Sequence, residues 1–404
     1  MTDFPSPILF DDARAILQRV AMANRLPVEQ LPLARCHGRV LAQDIAAPIA
    51  LQPFDNSAMD GYACRHADLH EADAVTLVLV GEQFAGRALD LQVGEGECVR
   101  ITTGAPMPRG ADTVVIREES SVDGNAVVLR SAVRDGANVR KAGEDARPGD
   151  PVLRAGTPLN AVQVSLAASL GIERLPVSRK PTVAVFTTGD ELVEPGMPLQ
   201  PGEIYNSNRE LLMGLLRADG LEPTAWPTLP DDPARIASML QDAASSFDIV
   251  VTCGAVSAGD KDHVPALLQA QGAVHFWKVR MKPGMPLLAG GLGRAQFLGL
   301  PGNPVSVLAT YLALGRVLID GMQGRAARPR RFARLDAAIE KPHARREFMR
   351  GTLRCGDDGS QWIAPNDATG SHRLRAAADA DALLVLAEGP QSCARGDAVE
   401  VLAY

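Results

Sequence analysis

Four short segments in the middle of the chain combine residue types that handle phosphate and divalent cations. They are Thr188-Gly189-Asp190-Glu191, residues 254–262 (GAVSAGDKD), Lys282-Pro283-Gly284 and Pro301-Gly302-Asn303-Pro304. Glycines let backbone amides come close to a ligand, and amides before a helix start favour anions. Asp190, Glu191, Asp260 and Asp262 add carboxylates, while Lys278 and Lys282 add cations. Carboxylates and lysines at one rim suit a phosphate ligand with Mg2+, an ion that takes few protein carboxylates and keeps waters. Neither GxxxxGK[ST] nor GxGxxG is present, so the joint occurrence of four loops carries the signal. Each residue also has a plainer use. TTGDE can be a strand-to-helix turn with a capping Asp. Asp231 can be a helix cap or its neighbour. Lys278 can point to solvent from a strand, and Cys253 can pack as a small hydrophobe.

Two further runs lie earlier. PFDNSAMDGYA (53–63) is dense in turn formers and acceptors, and RITTGAPMPRGADTVV (100–115) joins two strands by a long Gly/Pro loop. Loops on rigid scaffolds are common places for function.

The elements that must position these loops form three blocks. The first, to about residue 178, opens with an amphipathic helix at 10–24, its stripe Ala13, Ile16, Leu17, Val20 and Ala21, with Asp11 or Asp12 as cap. Residues 74–133 read as β: TLVLV, ECVRI, DTVVI and AVVLR alternate with turn signals. A helix at 159–170 ends at Gly171. The second block, 180–324, alternates strands (182–186, 223–228, 248–252, 273–279, 296–300) with helices near 209–217, 233–245 and 305–318. That alternation implies a doubly wound α/β domain, a parallel sheet with helices on both faces, and ligands beyond the carboxyl ends of its strands. The third block, 327–404, reads as a small β domain after an Arg-rich stretch, 325–334, taken as a solvated connector.

Composition narrows the classes. Hydrophobic residues make 46% and charged residues 22%, which is globular. A formal charge of −7 argues against a nucleic-acid binder. There are six lysines against 35 arginines, and Lys261, Lys278 and Lys282 share one short stretch. No run of 18 consecutive apolar residues predicts a membrane span, and no basic N-terminal region predicts a secretory signal. Six scattered cysteines without CxxC fit free thiols in a reducing cytoplasm.

Taken together, the runs resemble the molybdopterin molybdenumtransferase family, the MoeA-like proteins that include the E domain of gephyrin and of its plant counterpart. PFDNSAMDGYA, RITTGAPMPRGADTVV, TGDEL, GAVSAGDKD, KPGMP and LPGNPVS stand in family order, followed by EFMRG (347–351) and Gly370-Ser371-His372. The resemblance covers essentially the whole chain and implies an elongated multidomain protein. Its expected parts are an N-terminal region, 1–178, with a linking subdomain (1–52 and 141–178) and an inserted β-rich subdomain (53–140); a molybdopterin-binding α/β domain, 179–326; and a C-terminal small β-barrel, 327–404. The implied activity is Mg2+-dependent insertion of molybdate into adenylylated molybdopterin, with release of AMP, in molybdenum cofactor biosynthesis. The implied assembly is a homodimer with the site shared between chains, with molybdopterin adenylyltransferase or other proteins of the cofactor pathway as partners. An adenylyltransferase of the same α/β type and a non-catalytic cofactor scaffold are the alternatives.

Carried over by motif, Asp60 and Thr103 belong to the inserted-domain side of the cleft, and Asp145 is a family acidic position. Asp190, Glu191, Asp231 and Asp262 resemble the set that positions Mg2+ and pyrophosphate, with Asp190, Asp231 and Asp262 as metal ligands. Lys278, Lys282, Ser257 and Ser306 look like anion contacts. Gly189, Gly254, Gly259, Pro301, Gly302 and Asn303 form ligand-binding loops. Arg350 and Ser371 lie in motifs linked to the molybdate pocket. Three positions depart from the family pattern: Cys253 stands where a small hydroxyl residue is usual, Ala255 replaces a glycine, where a methyl group restricts a backbone that needs positive φ, and Met285 removes a cation.

Overall fold

The computed structural model describes residues 6–69, 74–130, 133–256 and 263–404. The first helix, Phe10–Ala23, buries Phe10, Ala13, Leu17 and Ala21. Neither Asp11 nor Asp12 caps it. The cap position is Leu9, both acids sit in the first turn, and the Phe10 amide instead donates to Glu388 Oε1 at 2.8 Å. A distant carboxylate thus replaces the local cap. The buried stripe joins the same core as Leu212, Leu216, Leu318 and Ile319 of the α/β unit.

Between this helix and the α/β unit the chain runs out and back. Val28–Pro32 pairs antiparallel with Arg174–Ser178, and Asn56–Ser57 with Val139–Arg140. Asn160 and Gln163 form a reciprocal capping box that starts the helix Ala161–Ser169. Inside the excursion is a six-stranded sheet whose strands include Gly61–Cys64, Ala74–Gln83, Glu97–Ile101, Thr113–Ile116 and Ala126–Arg130. The four expected β runs all fall in it.

The α/β unit has a six-stranded sheet. Thr224–Ala225, Val183–Thr187, Ile249–Cys253 and Ala295–Leu300 are parallel neighbours. Leu288–Leu292 then runs antiparallel to Ala295–Leu300, and Ala273–Trp277 antiparallel to Leu288–Leu292. One strand, absent from the sequence reading, therefore makes the sheet mixed. Ala273–Trp277 still runs in the common direction, so the carboxyl ends that feed the four glycine- and proline-rich loops all lie along one edge. The strands are fully buried (Val183–Thr187, Ile249–Cys253, Ala295–Leu300), as expected of a sheet covered on both faces. Among the described residues one helix, Pro304–Gln323, is long and apolar enough to cross a membrane by length and composition. Of its apolar window, 78% is buried inside the protein, where it forms part of the core.

The Arg-rich stretch is not a solvated connector. Arg328 donates to Asp219 at 3.0 Å and to Asp320 at 2.6 Å, and Arg331–Leu335 is already a strand. Asp219 also accepts from Tyr311 Oη at 2.7 Å and Arg316 Nε at 2.8 Å. Burial alone would raise the Asp219 pKa, but these donors outweigh it and hold the carboxyl below its usual 3.8. The C-terminal strands close on themselves. Arg346–Cys355 pairs with Gln361–Pro365 and with Ala382–Leu386, and Arg331–Leu335 and Ala398–Ala403 complete a five-stranded barrel.

Candidate functional site

A cleft of about 330 Å³ opens at the shared edge of the α/β sheet. Each of four strand ends contributes to it. Val183–Thr187 leads to Thr188, Gly189 and Glu191; Ile249–Cys253 to Gly254, Ala255 and Val256; Ala295–Leu300 to Pro301 and Gly302; Ala273–Trp277 to Pro286. Asp231 completes the lining from the start of a helix.

Backbone conformation explains the residue types. Gly189 has φ 130° and Gly254 has φ 100°, regions that residues with a side chain avoid. A Cβ at Gly254 would overlap the Thr188 hydroxyl, and one at Gly189 would overlap the Glu191 carboxylate. Ala255 lies at φ 55°. The alanine thus stands in the left-handed region, where glycine is the easier residue.

Asp232 accepts from the amides of Ala234 and Arg235, with Pro233 first in the helix Pro233–Ser246. Asp232 is thus the cap and Asp231 its neighbour at the cleft. The Asp231 amide donates to Asp190 Oδ1 at 3.3 Å, so two carboxylate-bearing residues meet at one rim. Ser257, Gly259, Asp260, Lys261 and Asp262 lie outside the described residues. Among the described residues no group of three or more His, Cys, Asp or Glu is placed to hold a metal ion. Carboxylate oxygens of the kind that Asp190 and Asp231 carry are the hard donors that Mg2+ takes, one or two at a time, together with substrate phosphates.

Neither expected lysine lines the cleft. The reading of 273–279 as one strand fails at Lys278, which has φ 71° just past the strand end. Its Nζ sits 4.2 Å from the centroid of the Trp277 ring, a cation–π contact. Trp277 is a residue that sequence reasoning missed. It is buried, and its indole donates to the Val256 carbonyl at 2.7 Å, fixing one wall of the cleft. Lys282 pairs with Glu347 Oε1 at 2.8 Å, on the barrel side, where Met281–Lys282 pairs with the barrel strand Arg346–Cys355. Pro286, Thr188 and Val256 are uncharged cleft residues that lie within the runs KPGMP, TGDE and GAVSAGDKD, but sequence reasoning does not single them out as site residues. Cys253 is buried at the strand end, and burial pushes its thiol up to about 12, in keeping with a packing role.

Ser306 is buried in the first turn behind Pro301-Gly302-Asn303. Arg350 is 4% exposed and donates to the carbonyls of Gly370 (3.1 Å) and Arg373 (3.2 Å). The Ser371 carbonyl accepts from the Val305 amide at 3.2 Å. The barrel loop is therefore in contact with the helix that follows the cleft.

A second, smaller hollow of about 20 Å³ lies in the inserted sheet, lined by Asp60, Tyr62, Arg100, Thr102 and Arg117 among others. Asp60 Oδ1 accepts from the Thr103 amide at 2.7 Å and its hydroxyl at 2.9 Å. The amide bond, then the hydroxyl, holds the exposed Asp60 carboxyl below 3.8, assisted by Arg117 and Arg100. Asp145 is exposed on the 141–146 turn and lines neither space.

Comparison with known proteins covers the chain end to end. Residues 8–171 match the family described as MoeA N-terminal region (domain I and II), 184–320 the probable molybdopterin binding domain, and 333–404 the MoeA C-terminal region (domain IV). The molybdopterin molybdenumtransferase of Haemophilus influenzae is 37% identical over 391 residues, 95% of this chain and 96% of that one. Molybdopterin molybdenumtransferase 2 of Mycobacterium tuberculosis is 36% identical over 92% of this chain and 94% of its own. The crystal structure of a molybdopterin biosynthesis MoeA protein from Pyrococcus horikoshii superposes with a TM-score of 0.86 at 29% identity, covering 99% of this chain and 100% of that one.

Proposed function

Since this chain belongs to the molybdopterin molybdenumtransferase family and is a transferase of molybdenum cofactor biosynthesis, we propose that its reaction is insertion of molybdate into adenylylated molybdopterin with loss of AMP. One observation carries this reading. Backbone at Gly189, Gly254 and Gly302, from three adjacent parallel strands, converges on one cleft beside the carboxylates of Glu191 and Asp231.

In this reading the glycine-lined floor admits a phosphate-bearing ligand to the backbone amides, and Asn303 offers an amide side chain at the rim. Asp190 and Asp231, with Asp262 on the strength of the resemblance, would hold Mg2+. When bound, the ion neutralises charge on the phosphate bridge. Glu191 orients the water that opens the phosphoanhydride, releasing AMP, and the two dithiolene sulfurs replace one oxygen of molybdate, which leaves as water with the two thiol protons. On the strength of the resemblance, Gly259, Ser257 and Ser306 serve the anion; Lys278, held over the Trp277 ring, and Lys282, paired with Glu347, lie outside the lining of this cleft. Asp60 and Thr103 act from the inserted-domain side, and Asp145, on the linking part, is a further acidic position by the resemblance alone. The Asp60 hollow and the main cleft share no lining residue. The homodimer, in which one chain's hollow faces its partner's cleft, rests on the family resemblance.

Reconstitution tests the proposal. The chain, adenylylated molybdopterin, molybdate and Mg2+ are predicted to yield AMP and active cofactor in equal amounts. ATP consumption without the adenylylated substrate would identify an adenylyltransferase instead. No AMP and no cofactor would overturn the enzymatic reading.

A further inference from the structure

The helix behind the Pro301-Gly302-Asn303 loop starts in an unusual way. Asn303 occupies the cap position, and asparagine there ordinarily accepts from the second or third helical amide. Its side chain makes no such bond. The third amide, Ser306, donates to the Asn303 backbone carbonyl at 2.9 Å, and the second, Val305, donates to Ser371 O in the barrel domain. The cap comes from another domain, 66 residues along the chain and held by Arg350. This arginine is almost fully buried on the barrel strand Arg346–Cys355 and bonds the carbonyls at both ends of 370–373. A guanidinium can bridge two carbonyls in a fixed plane in a way that an ammonium cannot.

We infer that Arg350 is a positioning residue: by clamping 370–373 it makes the Ser371 carbonyl the helix cap, and so sets the 301–303 loop at the cleft. The exposed Asn303 side chain, spared from capping its own helix, stays available to the ligand. This last step rests on the proposed substrate cleft. The clamp itself does not.

Hydrogen exchange on the intact chain, without substrate, separates the two. Arg350→Ala is expected to speed exchange of the Val305 amide about tenfold, with the barrel strand Ala382–Leu386 unchanged. Arg350→Lys is expected to recover part of the protection. Asn303→Ala and Ser371→Ala are expected to leave Val305 exchange unaltered, because the acceptor is a backbone carbonyl. Unchanged Val305 exchange in Arg350→Ala, or a rise in Asn303→Ala equal to it, overturns the inference. Should Arg350→Ala not fold, the Lys and Asn303 variants decide it by the same criteria. In turnover assays Asn303→Ala is expected to raise KM at least severalfold with its helix intact. An unchanged KM would refute the ligand role of Asn303 and leave the exchange result standing.

Discussion

Gly254 and Thr188 approach so closely at the floor of the cleft that no side chain fits between them. The Cβ of any other residue at 254 would overlap the Thr188 hydroxyl, and φ 100° already excludes most residues. Gly254→Ala therefore combines backbone strain with a blocked floor. It is predicted to cost about 1–3 kcal/mol in urea denaturation and to abolish anion binding measured by calorimetry. Wild-type affinity in this variant would show that ligand does not reach the floor.

The neighbouring position tests the opposite sign. Ala255 holds φ 55°, and the left-handed region costs a residue with a side chain roughly 1–2 kcal/mol, while glycine costs about 0.5–1 kcal/mol of unfolded-state entropy. Ala255→Gly is expected to gain up to about 1 kcal/mol, read as a higher urea midpoint at unchanged slope. A lower midpoint would mean that the alanine methyl contributes packing that outweighs the strain.

Asp231 and Asp232 are adjacent and have separate tasks. Asp232→Ala removes the cap of Pro233–Ser246 and is predicted to lower stability by about 1 kcal/mol with turnover largely kept. Asp231→Asn is predicted to keep the melting temperature and lose about 10²-fold or more in turnover. Melting curves and AMP release on both variants check this, and equal effects on stability would contradict the division.

The Asp219 network makes a pH prediction. Its carboxyl has a folded pKa below the usual 3.8, so its stabilisation is present above about pH 4 and is lost as pH falls through the folded value. Asp219→Asn leaves Arg316 and Arg328 without their shared charge and is expected to cost about 3 kcal/mol at pH 7. Urea titrations should show the gap between wild type and variant shrinking below pH 4. A gap independent of pH would mean that the charge is not what matters.

Much of this architecture was legible. Buried parallel strands read as apolar runs, and the loops of Gly189, Gly254 and Gly302 emerge at one edge as expected because strand polarity fixes where loops leave a sheet. Other features depend on contacts between distant segments. The local sequence gives Asp11 and Asp12 as caps, but Glu388 takes the amide. Lys278 looks like a strand residue, yet its positive φ and the Trp277 ring turn it aside. Lys282 reads as a cleft cation, but its pairing with Glu347 is visible only once the barrel docks. Arg328 reads as solvated because Asp219 lies 109 residues away. Trp277 carries no motif signal, since it braces the cleft through its contact with Val256.

The most direct measurement is a single turnover of preloaded adenylylated molybdopterin with molybdate and Mg2+, following AMP and bound molybdenum together. Wild type is predicted to release one AMP per molybdenum inserted, and Glu191→Gln, folded and still binding the adenylylated substrate, to release neither at a comparable rate. AMP release at the wild-type rate in Glu191→Gln, or molybdenum insertion with no AMP released, would contradict the assignment of the reaction to this cleft.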